Sequence, residues 1–296
     1  MKMTVYQSTG QPLGQEHSYV LKHFGSMLAA ARRLESKFAA LERRAPGDGN
    51  SFFILDDLNR VIGQKSNLQL LQEFSQRMGK ACIYETEIDI ASPLRLFDCW
   101  EDDPVGSGGL RIFNNTPGLT LTQRYQLKSL FHPFTDVIYP DHVFAAYSPS
   151  QLDAITAHSA LIPFFNTLLE ERRSRLKALG KFHPSSMQYE AVWVLLTLQV
   201  RMWSIENGFD SWVYANNSEG AGEDSYVLLH HTQLAQVNAV YHFNPEKYLE
   251  CVKPIFNDFV AKTVSEFEAQ HPAGPIPIPH MLWAGLDPLL FFEKIQ

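Results

Sequence analysis

Cysteine is scarce in this chain of 296 residues, with three in all. Cys82, Cys99 and Cys251 are scattered and odd in number, so they outline neither a disulfide framework nor a zinc-ligand spacing, and they fit a reducing compartment. Long apolar runs are missing too. None reaches the ~18 residues that a membrane span requires. The opening MKMTVYQSTG has no apolar core of the kind a Sec signal peptide carries, which leaves receptor-read export into another cell open. Positive charge is in deficit: 25 Lys and Arg stand against 32 Asp and Glu, a net charge of −7. No basic stripe offsets it, so a nucleic-acid partner is not expected. The densest basic run, Arg172, Arg173, Arg175 and Lys177, reads as a solvated helix face. No GxSxG, P-loop or HExxH motif is present. His132, His142 and His158 lack ligand spacing, and adjacent His230 and His231 would point to opposite faces of a strand. No metal site is expected.

What is there is an ordinary globular composition, 45% hydrophobic and 19% charged, with enough chain for one large domain or two smaller ones. Residues 3–9 read as a short strand. Ser26 is a helix cap, and the Ala-, Leu- and Arg-rich run behind it predicts a helix to about Arg44. SFFILDD is a short strand candidate, residues 66–78 a helix, and 82–90 alternate apolar and polar as a half-buried strand does. SPLRLFDCW follows as an extended corner. The acidic, Gly-rich loop 101–109 is the nearest thing to a boundary. Helices are expected at 120–130, from Pro149 towards Gly180, and over 185–207, ending at Gly208. Another runs from Pro245 to about Gln270. The proline-rich 273–279 cannot be helix or central strand, and the apolar tail 289–292 should dock on the core. The economical reading is an α+β fold, one sheet-based domain interrupted by a helical block.

One stretch stands out. GFDSWVYANNSEGAGEDSYVLLHHTQL, 208–234, reads as strand, Gly-broken turn, strand, with strands expected at 209–215 and 225–229. Three carboxylates, Glu219, Glu223 and Asp224, crowd the turn and would repel one another, which points to a role other than stability.

Four segments in order resemble the toxin-type ADP-ribosyltransferases. Val5–Thr9 (VYQST) resembles the Tyr-His-Gly-Thr strand that opens that fold. HFGS at 23–26 with its Ala-rich helix resembles the second motif. IDIASPLRL at 88–96 resembles the strand and corner of the polyvalent-protein branch of that fold. The 208–234 stretch resembles the last motif, an EGxG turn between two strands. The resemblance implies a split-sheet core made of residues 1–110 and 208–296, the latter with a helical and proline-rich tail. It makes 111–207 a helical insertion that reads the target. It implies cleavage of the nicotinamide–ribose bond of NAD and transfer of ADP-ribose to a protein. A carboxylate would stabilise the oxocarbenium-like centre and deprotonate the acceptor. Mapped onto this chain, Glu219 is the catalytic candidate and Glu223 the second. Tyr6, Gln7, Ser8, Thr9, His23, Phe24 and Ser26 are the candidate NAD-binding residues, with NAD as substrate. Gln7 stands where the family has histidine. An amide both donates and accepts, so contact with a ribose survives in principle, or NAD binding is weak and the chain inactive; His23 is the other candidate for that task. Phe24 reads as core or as nicotinamide stacker, and Ser26 as helix cap or as support for Glu219. The likeness further implies a bacterial effector delivered into a host cell, with a protein substrate. Host ubiquitin, modified at threonine by the CteC-like group, is one candidate. NAD glycohydrolysis, or an inactive binding module, are the alternatives.

Overall fold

Alternation in CIYETEID sends successive side chains to opposite faces of a strand, and that strand is central to the first sheet. In the computed structural model Cys82–Asp89 (β6) lies between Lys2–Thr9 (β1) and Leu234–Phe243 (β10), antiparallel to both, and Phe292–Lys294 (β11) completes this first sheet. A second sheet runs His23–Phe24 (β2), Glu223–Leu228 (β9), Ser211–Asn216 (β8) and Pro93–Leu96 (β7); β7 and β8 pair in parallel. A third joins Arg43–Pro46 (β3), Ser51–Leu55 (β4) and Val61–Ser66 (β5). With its helices the chain is an α+β protein. The residues described are 1–9, 21–47, 49–56, 59–96, 116–131, 165–178, 194, 197–230, 233–270 and 281–295. The acidic loop 101–109, the proline segment 273–279, and parts of the expected helices at 149–180 and 185–207 lie outside them.

Helix α1 (Met27–Ala39) begins where Ser26 Oγ accepts the amide of Ala29 at 3.2 Å, an N-cap that satisfies one of the four open amides. Helix α2 (Asn67–Met78) starts with a reciprocal capping box between Ser66 and Gln69. Ala30, Ala31, Leu34 and Phe38 of α1, spaced for one helical face, meet Leu70, Leu71, Phe74 and Met78 of α2 in the main core. Phe74 is fully buried, with ring contacts to Phe38, Phe243, Tyr248 and Trp283. The C-terminal tail docks here as expected: Trp283, Phe291 and Phe292 are buried. A smaller core of Val5, Phe24, Ile88, Ile90 and Leu228 joins the first sheet to the second.

Three expectations need correction. The first helix stops at Ala39 rather than Arg44, because Arg43–Pro46 is drawn into β3 against β4. The predicted helix from Pro245 is two, α5 (Pro245–Val252) and α6 (Phe256–Gln270). Pro254 between them has no amide to bond back along a continuous helix. And β10, a central strand of ten residues, was not expected at all. Leu121–Phe131 (α3) and Phe165–Ala178 (α4) are helical, as are 194 and 197–206, and Gly208 follows at φ 83°. The 197–206 helix docks on the second sheet. Trp212 Nε1 donates to Ser204 Oγ at 2.9 Å, and Arg201 donates to the carbonyl of Leu229 at 2.7 and 2.9 Å. Trp203 Nε1 reaches Gln126 of α3 at 3.1 Å. Among the described residues no helix is long and apolar enough to cross a membrane.

Candidate functional site

The turn between β8 and β9 is built by Asn216. Its side-chain oxygen accepts the amide of Glu219 at 2.8 Å, its side-chain NH2 donates to Ser225 Oγ at 3.2 Å, and its carbonyl accepts the amides of Gly220 and Gly222 at 3.2 and 2.9 Å. Ala221 and Gly222 take the left-handed φ values of 54° and 88° that let the chain reverse in so few residues. The turn is thereby laid on the first half of α1. A Cβ on Gly220 would come 3.5 Å from that of Ala29.

This placement separates the three carboxylates. Glu219 folds back onto the helix, where Arg33 Nη1 donates to its Oε1 at 3.0 Å and Arg32 Nη1 to its carbonyl at 3.4 Å. Its side chain is 12% exposed. Asp224 is a strand residue, gripped by Arg95 of β7 through two bonds of 2.9 and 2.6 Å that reach across β8. Glu223 is exposed to solvent at the start of β9. The crowding expected from the sequence is relieved by two arginines, and Glu219 is the carboxylate left in a sheltered setting.

His23 belongs to the same neighbourhood. Its Nδ1 lies 2.9 Å from the hydroxyl of Tyr214 on β8. Desolvation, and then the cations of Arg33, Lys37 and Lys22, pull its pKa down to about 3, so the ring is neutral at physiological pH. Arg33 thus acts on both Glu219 and His23. Neither Arg33 nor Tyr214 was singled out from the sequence. An arginine in an Arg-rich helix looks like any solvated cation, and nothing local announces its partner 186 positions away.

The four candidates on β1 divide between two faces, as consecutive strand residues must. Tyr6 and Ser8 face the helices. The Tyr6 hydroxyl donates to Glu85 Oε2 at 3.2 Å, and Tyr241 donates to the same oxygen at 2.8 Å. The Tyr241 hydroxyl is pushed up to about 12 by that bond and by desolvation. Ser8 is buried. Gln7 and Thr9 share the other face with Val5. Gln7 sits opposite Tyr84 of β6, and among the described residues its buried Oε1 has no hydrogen-bond partner. Phe24 is 1% exposed and packs between the sheets against Val5 and Leu228. Ser26 is the cap of α1.

Gly25 links the two segments that carry the N-terminal and C-terminal candidates. Its amide and carbonyl exchange bonds with Tyr6 at 3.0 and 2.8 Å, and a Cβ there would fall 2.8 Å from Ser225 Oγ. The line from β1 through Gly25 and Ser225 to Asn216 and Glu219 is continuous, although residues 9 and 219 are far apart in the chain. Among the described residues no three His, Cys, Asp or Glu side chains gather as a metal site. Comparison with protein-family models, with curated proteins and with solved structures finds no match.

Proposed function

We propose that the chain is a mono-ADP-ribosyltransferase of the toxin or effector kind, moving ADP-ribose from NAD to a protein, with Glu219 as its catalytic carboxylate. The observation that carries this reading is Glu219, its backbone amide fixed by Asn216 on a strand turn and its sheltered carboxylate held by Arg33. Arg33 touches Oε1 alone, which leaves Oε2 for a ribose hydroxyl. A carboxylate there stabilises positive charge at the ribose carbon as nicotinamide departs, then takes the acceptor's proton. Gln7, whose amide oxygen has no hydrogen-bond partner among the described residues and lies on the face of β1 that meets β2, would supply an acceptor for a ribose hydroxyl. Glu223, the second carboxylate candidate, is exposed and on this reading would meet the acceptor rather than NAD. The acceptor is a host protein, ubiquitin being the first to try, and delivery is from a bacterial cytoplasm into the target cell.

A second reading has its own observation. The Arg33 guanidinium against Glu219 opposes a cation developing at the same place, and Gln7 replaces a histidine. Both favour an inactive module that keeps the fold to bind a protein. Incubation with labelled NAD, host lysate and purified ubiquitin decides between them. Transfer should appear on protein and fall by about 100-fold or more in Glu219→Ala, the scale of losing an electrostatic stabiliser. Nicotinamide release without labelled protein marks a glycohydrolase. No release, with Glu219→Ala identical to wild type, leaves the binding module.

A further inference from the structure

A pocket of about 640 Å³ opens beside the C-terminal half of α1, where α2 and the third sheet meet it. Its size is that of pockets for nucleotide-sized ligands. Leu34, Phe38, Leu41 and Met78 supply an apolar lining. The polar lining is unbalanced: Lys37, Arg44, Lys65, Arg77 and Lys80 face two carboxylates, Glu42 and Glu73. In a chain of net charge −7 such a local excess of cations is against the trend.

Both carboxylates are already committed. Glu42 Oε2 accepts from Arg44 Nε at 2.9 Å and from Lys65 Nζ at 3.0 Å, and Glu73 Oε2 accepts from the same ammonium at 2.8 Å. They orient these two cations and make no bond to Arg77 or Lys80. The Arg44 side chain is 3% exposed, its guanidinium lies 4.8 Å over the Phe38 ring, and its buried Nη1 has no hydrogen-bond partner among the described residues. Although Nε is paired with Glu42, a buried Nη1 without a hydrogen bond needs a reason, and a fixed guanidinium is the group best shaped to take a phosphate. Arg77 and Lys80 are exposed, and among the described residues neither carries an ion pair.

We propose that this pocket binds a phosphorylated small molecule of nucleotide size. Arg44, Arg77 and Lys80 take the phosphates, and the uncharged part rests on Leu34, Phe38, Leu41 and Met78. The site stands apart from Glu219, which rests on the first half of the same helix, and the proposal does not depend on ADP-ribosyl transfer.

Isothermal titration calorimetry of the full chain with ADP, adenosine and inorganic pyrophosphate tests it. ADP should saturate one site, adenosine should show no saturation, and pyrophosphate should bind at least about tenfold more weakly than ADP for want of the apolar contacts. Arg77→Gln with Lys80→Gln should weaken ADP by at least about tenfold, the scale of a hydrogen bond to a charged group. Arg44→Met should weaken it further. Since Arg77 and Lys80 are exposed, their double variant gives an answer even where Arg44→Met fails to fold. Lys253→Gln with Lys262→Gln removes the same charge elsewhere and should leave the affinity unchanged. No saturable ADP binding, or ADP binding unaltered by Arg77→Gln with Lys80→Gln, overturns the proposal. So does equal weakening by the Lys253 and Lys262 pair. Pyrophosphate binding as tightly as ADP overturns the part assigned to the apolar lining.

Discussion

A neutral imidazole between a tyrosine hydroxyl and several cations makes His23 a sensor of acid. Its folded pKa, about 3, lies below the ordinary 6.5, so the unfolded chain binds the proton more readily. Stability from this group is therefore full above pH 6.5 and is lost as the pH falls towards 3, by at most about 1.4 kcal/mol per pH unit. Urea midpoints measured at pH 7 and pH 5 should drop more for wild type than for His23→Gln; an equal drop would remove His23 from the account. At this scale the sequence was a partial guide. Glu219, Glu223 and Asp224 stood out together on a Gly-broken turn, and the resemblance to an EGxG turn is what set Glu219 first. Its partner Arg33 did not, since a pairing across the fold leaves no local trace. The two faces of β1 were readable from the alternation of a strand, yet Tyr6 and Ser8 were grouped with Gln7 and Thr9 because the resemblance spans them as one run.

The β8–β9 turn depends on a close approach that only glycine permits. A Cβ at position 25 would stand 2.8 Å from Ser225 Oγ and 3.3 Å from the Ala29 Cβ. Ser225 is held by Asn216 and has little room to give. Gly25→Ala should cost about 1–3 kcal/mol, the usual range for overpacking. Adding Ser225→Ala should return part of that loss, measured as a coupling in a double-mutant cycle. Strict additivity would show that the two elements do not press on each other. Elements with clean periodicity were legible here: β1, β6, α2 and the strands around the turn fell within a few residues of expectation. β10 was not, and the reason is physical. Its register shifts between Leu234 and Gln236 and again between Val237 and Ala239, and each irregularity breaks the alternation by which a strand is recognised. The overlong first helix has a different cause. Its sequence continues to favour helix, but pairing with β4 and the burial of Arg44 over Phe38 win.

Across the whole molecule, the two ends of the chain close the same core. The amide of Leu282 donates to the buried carboxylate of Glu35 at 2.9 Å, Tyr248 donates to the Leu282 carbonyl at 2.6 Å, and β11 covers β10. A chain stopped after residue 280 would lose Trp283, Phe291 and Phe292 from the core. Each such buried aromatic contributes about 1.5–3 kcal/mol, so the sum rivals the whole stability of a domain. Circular dichroism of that truncated chain should show no cooperative thermal transition; an unchanged transition would make the tail an ornament. The α+β architecture was legible from the mixture of periods, whereas the third sheet was not, because β5 exposes Val61 and Ile62 and so presents no buried face.

The parallel pairing of β7 with β8 sets a limit on how small this protein could become. Leu96 lies opposite Tyr214, and Ser211 opposite Pro93, so the chain leaves the sheet at one end and must re-enter at the other, about 10 Å away at the rise of a strand. A hairpin cannot make that journey; a crossover of about a dozen residues or more is the minimum. Excising everything from 97 to 210 and sealing the gap with a tight turn would reverse one strand and turn its side chains to the wrong neighbours. The stretch between the two strands therefore has a topological floor below which the second sheet no longer exists.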